Sequence, residues 1–185
     1  MTKIAVISSS VRPASVGGPV AEWVARRAND IEGVQAGVVR VADFDLPLFV
    51  EDLPTAMRPA QDPAAVRWDE TLAGYDAYVI VTPEYNHSVP GALKNAIDFI
   101  TPATLADKAV GLVSYSFSAG NRPIEHLRQI LANFTTGVVR EQVGLHLATD
   151  FKGMSEFAPA DFHDGEVDAM VRSLVRLDGA LATLR

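Results

Sequence analysis

The amino-acid sequence predicts a three-layer, doubly wound α/β fold built on one five-stranded parallel sheet. Short, nearly continuous apolar runs such as residues 3–8 and 77–82 are typical of strands that are buried on both faces. These runs alternate along the chain with segments whose apolar residues recur at helical spacing. Because each helix returns the chain to the same end of the sheet, the strands must be parallel, and their number fits the order 2-1-3-4-5.

Each element has its own signal in the sequence. Pro19 suits the first turn of the first helix, and the apolar residues of the last helix recur at three- and four-residue steps. A proline-rich, irregular connection covers residues 43–59. The predicted strands are residues 3–8, 35–41, 77–82, 109–115 and 137–147, and the predicted helices are residues 19–28, 64–73, 91–100, 123–134 and 167–184.

Length and composition limit the classes of protein that the chain can form. With 185 residues and no linker-like segment, we expect a single domain, residues 1–185. The absence of cysteine excludes disulfides and thiolate chemistry, so any redox reaction needs a bound cofactor. A net charge of −7 without a basic cluster disfavours nucleic acid as a partner. No apolar run reaches the roughly 20 residues of a membrane span, and the N-terminus lacks a signal-peptide pattern, so we expect a cytoplasmic protein without membrane insertion.

The candidate functional residues lie in the loops that follow strands one, three and four. In a doubly wound sheet, ligands bind at the carboxyl ends of the strands where the winding direction reverses. The first loop, residues 8–17, combines serine hydroxyls, Arg12 and a helix N-terminus, and such donors suit a phosphate group. An N-cap with a solvated arginine explains the same residues equally well. Neither a P-loop nor a Gly-x-Gly-x-x-Gly fingerprint is present.

The second loop, residues 82–90, carries two prolines around a small polar cluster. A stiff loop of this kind can present its backbone groups to the edge of a planar heterocycle, with Tyr85 as an aromatic surface. It can equally be an ordinary connection in which Asn86 or Ser88 caps the next helix. The four histidines have no metal-ligand spacing, and residues 161–166 are interpreted as the capped start of the last helix, so no metal site is expected.

A family resemblance distinguishes between these interpretations. Residues 83–98 read PEYNHSVPGALKNAID and closely resemble the signature of the NADPH-dependent FMN reductase family, which has a flavodoxin-like fold and includes flavin, quinone, azo-dye and chromate reductases. Three further stretches agree with the resemblance: Ser10-x-Arg12-x-x-Ser15, the connection at residues 43–48, and residues 114–120. The resemblance extends over roughly residues 3 to 150.

The resemblance implies an FMN site formed by three loops. The first loop would hold the phosphate, the second would contact the ribityl chain and the isoalloxazine, and the third would line the pyrimidine edge. The family usually has a glycine where this chain has Ser9, and a Cβ there restricts positive φ and close backbone approach. The implied residues are Ser10, Arg12, Ser15, Val16 and Gly17 in the first loop, Pro83, Glu84, Tyr85 and Asn86 in the second, and Ser116, Ser118 and Gly120 in the third.

The resemblance also implies the chemistry and the partners. The expected function is an FMN-dependent oxidoreductase that passes electrons from NADPH or NADH to a small acceptor, namely a flavin, a quinone, an azo compound or a metal oxyanion. No side chain is required as acid, base or nucleophile, since the chemistry takes place at N5 of the flavin. A homodimer or homotetramer with the flavin near the subunit boundary is expected.

Two alternatives remain open from the sequence. The chain could be a non-enzymatic electron carrier or flavin-binding sensor, although its first loop differs from the Thr-rich phosphate loop of flavodoxins. Flavin could also be an exchanging substrate rather than a fixed group, which the serine at position 9 would permit.

Overall fold

Five parallel strands form the central layer of the protein in a computed structural model that describes all 185 residues. Strand β1 spans Thr2–Ser8, β2 Val34–Arg40, β3 Ala77–Pro83, β4 Ala109–Ser116 and β5 Gly137–His146. The sheet order is β2-β1-β3-β4-β5, and every neighbouring pair is parallel. The predicted fold class and strand order are therefore confirmed.

Burial explains why the three central strands read as continuous apolar runs. All residues of β3 and β4 are buried, as are Ile4 to Ser8 of β1, because helices cover both faces of these strands. The edge strands β2 and β5 are only partly covered, and their buried and less buried residues are mixed. Strand position in the sheet therefore sets the hydrophobic pattern of each segment.

Helices cover the two faces of the sheet and form two separate cores. The helices are α1 (Gly17–Asn29), α2 (Pro63–Ala73), α3 (Gly91–Asp98), the single turn α4 (Pro102–Leu105), α5 (Asn121–Leu131) and α6 (Phe162–Leu181). One core joins α1 and α6 to the sheet, with Val24 and Met170 fully buried. The other joins α2, α3 and α5, and there the Trp68 indole donates a hydrogen bond to the Ala96 carbonyl at 2.9 Å. None of the helices has the length and apolarity needed to span a bilayer.

Several boundaries differ from the sequence prediction. Helix α1 begins at Gly17 rather than at residue 19, and α6 begins at Phe162 rather than at residue 167. The segment predicted as one helix at residues 91–100 ends at Asp98 and is followed by α4, whose first residue is Pro102. The helix predicted at residues 123–134 ends at Leu131 and continues as a 3₁₀ turn.

A short antiparallel hairpin, β6 (Phe151–Lys152) and β7 (Glu156–Phe157), was not predicted. Two-residue strands are too short to show a period in the sequence. The hairpin is held to the first core by aromatic contacts, since the Phe157 ring lies 5.4 Å from Trp23 and the Phe151 ring lies 5.8 Å from Tyr115. It therefore reaches the carboxyl end of β4.

Asp150 fixes the start of this hairpin. Its carboxylate accepts hydrogen bonds from the backbone N–H of His146 at 2.8 Å and of Ala160 at 3.2 Å. Burial alone would raise the pKa of Asp150, but these hydrogen bonds outweigh burial and the net pKa lies below its ordinary value. His163 Nε2 lies 3.2 Å from the same carboxylate, and His163 Nδ1 lies 2.7 Å from Glu166.

These contacts modify the interpretation of residues 161–166. The segment does begin the last helix, but the Asp161 side chain makes no capping hydrogen bond. Asp161 has a helical backbone conformation, with φ −56° and ψ −29°, whereas a capping residue is usually extended. Instead of capping the helix, residues of this segment hold the preceding loop through His163 and Asp150.

We predict that Asp150→Asn lowers the free energy of unfolding by about 1–3 kcal/mol at pH 7. The stability that the ionised Asp150 contributes is fully present above the unfolded-state pKa of about 3.9 and is lost as the pH falls through the lower folded-state pKa. The difference between variant and parent in urea denaturation should therefore shrink toward pH 3. Asp161→Asn is the matched control and should lie within about 0.5 kcal/mol of the parent. An equal pH dependence for Asp150→Asn and the parent would contradict the assignment.

Candidate functional site

Three loops meet at the carboxyl edge of the sheet, where the winding direction reverses. Strand β1 pairs with β2 on one side and with β3 on the other, so the helices that follow β1 and β3 lie on opposite faces. The loops after β1, β3 and β4 lie next to one another at this point, which is the position expected for a ligand in a doubly wound sheet.

The first loop presents hydroxyl groups beside the start of α1. Ser10 Oγ lies 2.9 Å from Tyr85 Oη and accepts a longer hydrogen bond of 3.4 Å from the Arg12 N–H. The Arg12 side chain is exposed, and its guanidinium carbon lies 5.9 Å from the centre of the Tyr85 ring. The first and second loops are thus joined through Tyr85.

Helix α1 begins at this loop without a side-chain cap. Val16 occupies the N-cap position and makes no side-chain hydrogen bond to the first turn. Ser15 Oγ accepts a hydrogen bond from the Gly17 N–H at 3.1 Å and lies 3.2 Å from Tyr115 Oη. A Cβ on Gly17 would lie 2.7 Å from that phenol oxygen, so only glycine fits here. Since the Gly17 N–H is bonded to Ser15 and Pro19 has no N–H, the Gly18 N–H and the helix dipole are what favour an anion at this end.

Ser9 lies inside the same loop, and the hydrogen bonding of its side chain indicates whether a polar ligand fits there. Its backbone is not among the positive-φ residues, so the serine is not strained in place of the glycine usual in the family. Its side chain is fully buried, and Ser9 Oγ is the only buried side-chain polar atom without a hydrogen-bond partner. An unsatisfied buried hydroxyl is costly, and a phosphorylated ligand in this loop would provide acceptors for it. The loop therefore fits the phosphate of FMN.

The second loop contains a tight turn with an unusual backbone. Tyr85 and Ser88 exchange backbone hydrogen bonds of 2.8 and 3.1 Å, and the two residues between them, Asn86 and His87, have φ of 46° and 76°. Positive φ at both central residues defines a type I′ turn, which is rare without glycine. Ser88 Oγ also lies 2.8 Å from His126 Nδ1, which ties the turn to α5. Pro90, rather than Asn86 or Ser88, is the N-cap residue of α3.

The third loop is bound to the second through a partly buried carboxylate. Glu84 accepts hydrogen bonds from Ser116 Oγ at 2.9 Å, from Ser118 Oγ, and from the Arg122 guanidinium at 2.6 Å. Burial alone would raise the pKa of Glu84, but the three hydrogen bonds and the charge of Arg122 outweigh burial and leave the net pKa below its ordinary value. The carboxylate is therefore ionised at neutral pH, and the Ser116 and Ser118 hydroxyls are directed at Glu84.

Two adjoining clefts open between the loops. The narrower one has a volume of about 270 Å³ and the wider one about 480 Å³, and Glu84 and Leu147 line both. Of the residues implied by the family resemblance, all but three line one of the clefts. Ser10, Gly17 and Gly120 lie behind the walls, where they contact Tyr85, Tyr115 and Ser114, respectively.

The clefts also contain residues that sequence reasoning missed. Tyr115 could have been noticed because it is the penultimate residue of a strand at the functional edge, Arg122 because it is the second residue of α5, and Leu147 because it ends the strand predicted at residues 137–147. Met154 had no signal, because it lies in the turn of the unpredicted hairpin. The missed lining residues are Ala14, Tyr115, Leu147 and Met154 in the narrower cleft, and Phe117, Arg122 and Leu147 in the wider one.

The fold and these loops define a flavodoxin-like protein with two clefts at its switch point. Comparison with known proteins identifies the family, because residues 2–150 match the model described as NADPH-dependent FMN reductase. The chain belongs to this family, so it is an oxidoreductase that uses FMN with NADPH or NADH as electron donor.

Individual relatives agree with this assignment. The chain is 35% identical to an NAD(P)H-dependent FMN reductase of Nectria sp over 137 residues, which cover 71% of this chain and 68% of the relative. It is 34% identical to the quinone reductase of Escherichia coli K12 over 157 residues, 76% of this chain and 80% of the relative. FerB, a flavoenzyme NAD(P)H:(acceptor) oxidoreductase from Paracoccus denitrificans, has the same fold with a TM-score of 0.70 at 24% identity, over 95% of this chain and 98% of that one.

We predict that Gly120→Ala destabilises the third loop strongly. Gly120 has a φ of 65°, and an added Cβ would lie 2.0 Å from Ser114 Oγ. The left-handed conformation and the overlap together should lower the free energy of unfolding by about 3 kcal/mol, measured by urea denaturation. Gly165→Ala in α6 is the matched control, since its Cβ meets no atom within 4 Å and should raise stability by about 0.5–1 kcal/mol. Equal stability of the two variants would refute the steric argument.

Proposed function

We propose that this protein, as a single FMN-binding domain over residues 1–185, passes electrons from NADPH or NADH through FMN to a small acceptor. The acceptor classes are a free flavin, a quinone, an azo compound or a metal oxyanion. The observation that carries the proposal is that two clefts share Glu84 and Leu147 in their walls, one of them lined by Arg12 and Ser15 and the other larger. The location is cytoplasmic, where reduced nicotinamide is supplied.

Each loop has a distinct task in this proposal. Arg12 and the start of α1 bind the phosphate through one positive charge and the helix dipole, and Ser10 and Ser15 support this end of the site through their hydrogen bonds with Tyr85 and Tyr115. The rigid turn after Pro83 and the loop at residues 116–120 orient the ring system from two sides. Glu84 acts indirectly. It accepts hydrogen bonds from Ser116 and Ser118 and forms an ion pair with Arg122, and these contacts fix the relative position of the two loops.

The wider cleft is the proposed place for the nicotinamide and the acceptor. Bound FMN supplies the electron transfer, so the protein needs to position the two partners in turn on one exposed face. His87 and Phe117 are exposed on the walls of this cleft, and Arg122 supplies a cation beside it. An open cleft with few fixed contacts is compatible with acceptors of different shape, in agreement with the different names of the relatives.

The test of the function is an anaerobic titration of the FMN-loaded protein. We expect the flavin absorbance to bleach on addition of NADPH or NADH and to return on addition of a quinone. Free FMN with the nicotinamide, and the apoprotein with the nicotinamide, are the controls and should show no comparable change. Bound flavin that neither nicotinamide bleaches would contradict the enzyme and would favour the alternative, an electron carrier or sensor that exchanges electrons with other proteins.

We also propose that the protein forms a homodimer through an apolar groove beside the flavin loops. The groove has a volume of about 400 Å³, and Val11, Leu48 and Gly91 are among the residues that line it. Leu48 and Val50 are 78% and 83% exposed, which is unusual for large apolar side chains in one segment. Because Val11 and Gly91 adjoin the first and second loops, a second copy bound here would lie next to the flavin and narrow the cleft.

For this interface, the double variant Leu48→Asp, Val50→Asp should convert a dimer into a monomer in light scattering at micromolar concentration, since two buried carboxylates would oppose association. Leu184→Asp, at an equally exposed leucine near the C-terminus, should leave the dimer intact. A parent protein that is monomeric, or a double variant that keeps the dimer mass, would show that this groove is not the interface.

A further inference from the structure

Two tyrosine hydroxyls line the narrower cleft in the same local arrangement. Tyr85 Oη lies 2.9 Å from Ser10 Oγ, and Tyr115 Oη lies 3.2 Å from Ser15 Oγ. Neither phenol oxygen has any other hydrogen-bond partner in the protein. The family resemblance assigns Tyr85 a role in contacting the flavin, but it assigns none to Tyr115.

The backbone allows a hydrogen-bond order in which Ser15 is the donor to Tyr115. Ser15 Oγ accepts from the Gly17 N–H at 3.1 Å and keeps its own proton, which it can donate to Tyr115 Oη. If Ser15 donates, the phenol proton of Tyr115 has no acceptor within the protein and is free for one in the cleft. The Ser10–Tyr85 pair can have the same order of hydrogen bonds. The Arg12 N–H donates to Ser10 Oγ at the longer distance of 3.4 Å, and Ser10 Oγ lies next to Tyr85 Oη.

Burial keeps the Tyr115 hydroxyl in its donor form. The side chain is 5% exposed, and its ring is fixed against Phe151. Burial raises the pKa of Tyr115 to about 12, although the hydrogen bond with Ser15 and the charge of Arg12 act in the opposite direction. The Tyr115 hydroxyl therefore remains protonated near neutral pH, where the phosphate of FMN is mainly a dianion.

We propose that Tyr115 is a direct ligand of the FMN phosphate, and that its hydroxyl, oriented by the Gly17 N–H and Ser15, makes the site prefer FMN over riboflavin. The proposal rests on the FMN function proposed above and adds Tyr115, a residue of β4, to the groups that surround the phosphate. The hydroxyl position supports it, because a Cβ on Gly17 would lie 2.7 Å from Tyr115 Oη, which places this oxygen directly beside the first residue of α1.

The experiment measures binding of FMN and of riboflavin separately, by quenching of flavin fluorescence without nicotinamide. Tyr115→Phe keeps the ring and its contact with Phe151 but removes the hydroxyl. Because a hydrogen bond to a charged group is lost, we expect FMN affinity to fall between about tenfold and a hundredfold, with riboflavin affinity unchanged. Arg12→Ala is the positive reference and should also weaken FMN selectively.

Tyr75→Phe is the matched control. Tyr75 precedes β3, at the opposite end of the sheet from the clefts, and its hydroxyl makes no hydrogen bond in the protein. This variant should bind both flavins as the parent does. The preference of the parent for FMN should also decrease below about pH 6, where the phosphate gains a proton, and this decrease should be smaller in Tyr115→Phe.

The outcomes separate the two proposals. If the parent binds FMN more tightly than riboflavin and Tyr115→Phe leaves this preference intact, the role of Tyr115 is refuted and the FMN function stands. If Tyr115→Phe weakens FMN and riboflavin equally, the residue has a packing role only, and the proposal is again overturned. A parent that binds neither flavin would overturn the FMN function itself.

Discussion

The pairing of β1, β3 and β4 determines where every part of the site lies. Ser8 pairs with Val81 and Pro83 pairs with Tyr115, so the three central strands end at the same edge of the sheet. Each strand is buried on both faces, and a one-residue slip in register would move its apolar side chains to the wrong core. The register is therefore fixed by packing, and the relative positions of the three loops follow from it.

The charges near the site must attract a phosphate although the chain as a whole is negatively charged. The protein has a net charge of −7, and Glu84 adds an ionised carboxylate between the clefts. Arg122 compensates Glu84 directly, at 2.6 Å, so the carboxylate holds the loops together without repelling an anion strongly. Arg12 and Val16, at the start of α1, line the narrower cleft, so the positive charge and the helix dipole lie where we propose that the phosphate binds.

The sequence predicted the fold well because buried parallel strands and the helices between them have strong periodic signals. The loops that form the site could also be located, since the carboxyl ends of β1, β3 and β4 are fixed by topology. The hairpin at residues 151–157 and the contact of Asp150 with His163 could not be predicted, because they depend on short segments and on tertiary contacts. Tyr115 and Arg122 could be located near the site from their places at the end of a strand and the start of a helix, but their contacts depend on the direction in which each side chain leaves the backbone.

The donors at the phosphate end favour specificity over strong electrostatic attraction. Arg12 is the only cationic side chain lining the narrower cleft, whereas Ser15, Tyr85 and Tyr115 line it with neutral hydroxyl-bearing side chains. Neutral donors contribute little long-range attraction, but they require the geometry of a phosphate to be satisfied. In our proposal, a riboflavin molecule in the same cleft would leave the Tyr115 hydroxyl without an acceptor, and an unsatisfied buried donor is more costly than the net gain of a typical hydrogen bond. The proposed discrimination between the two flavins would therefore arise from an unpaired hydroxyl of the protein as much as from the charge of the ligand.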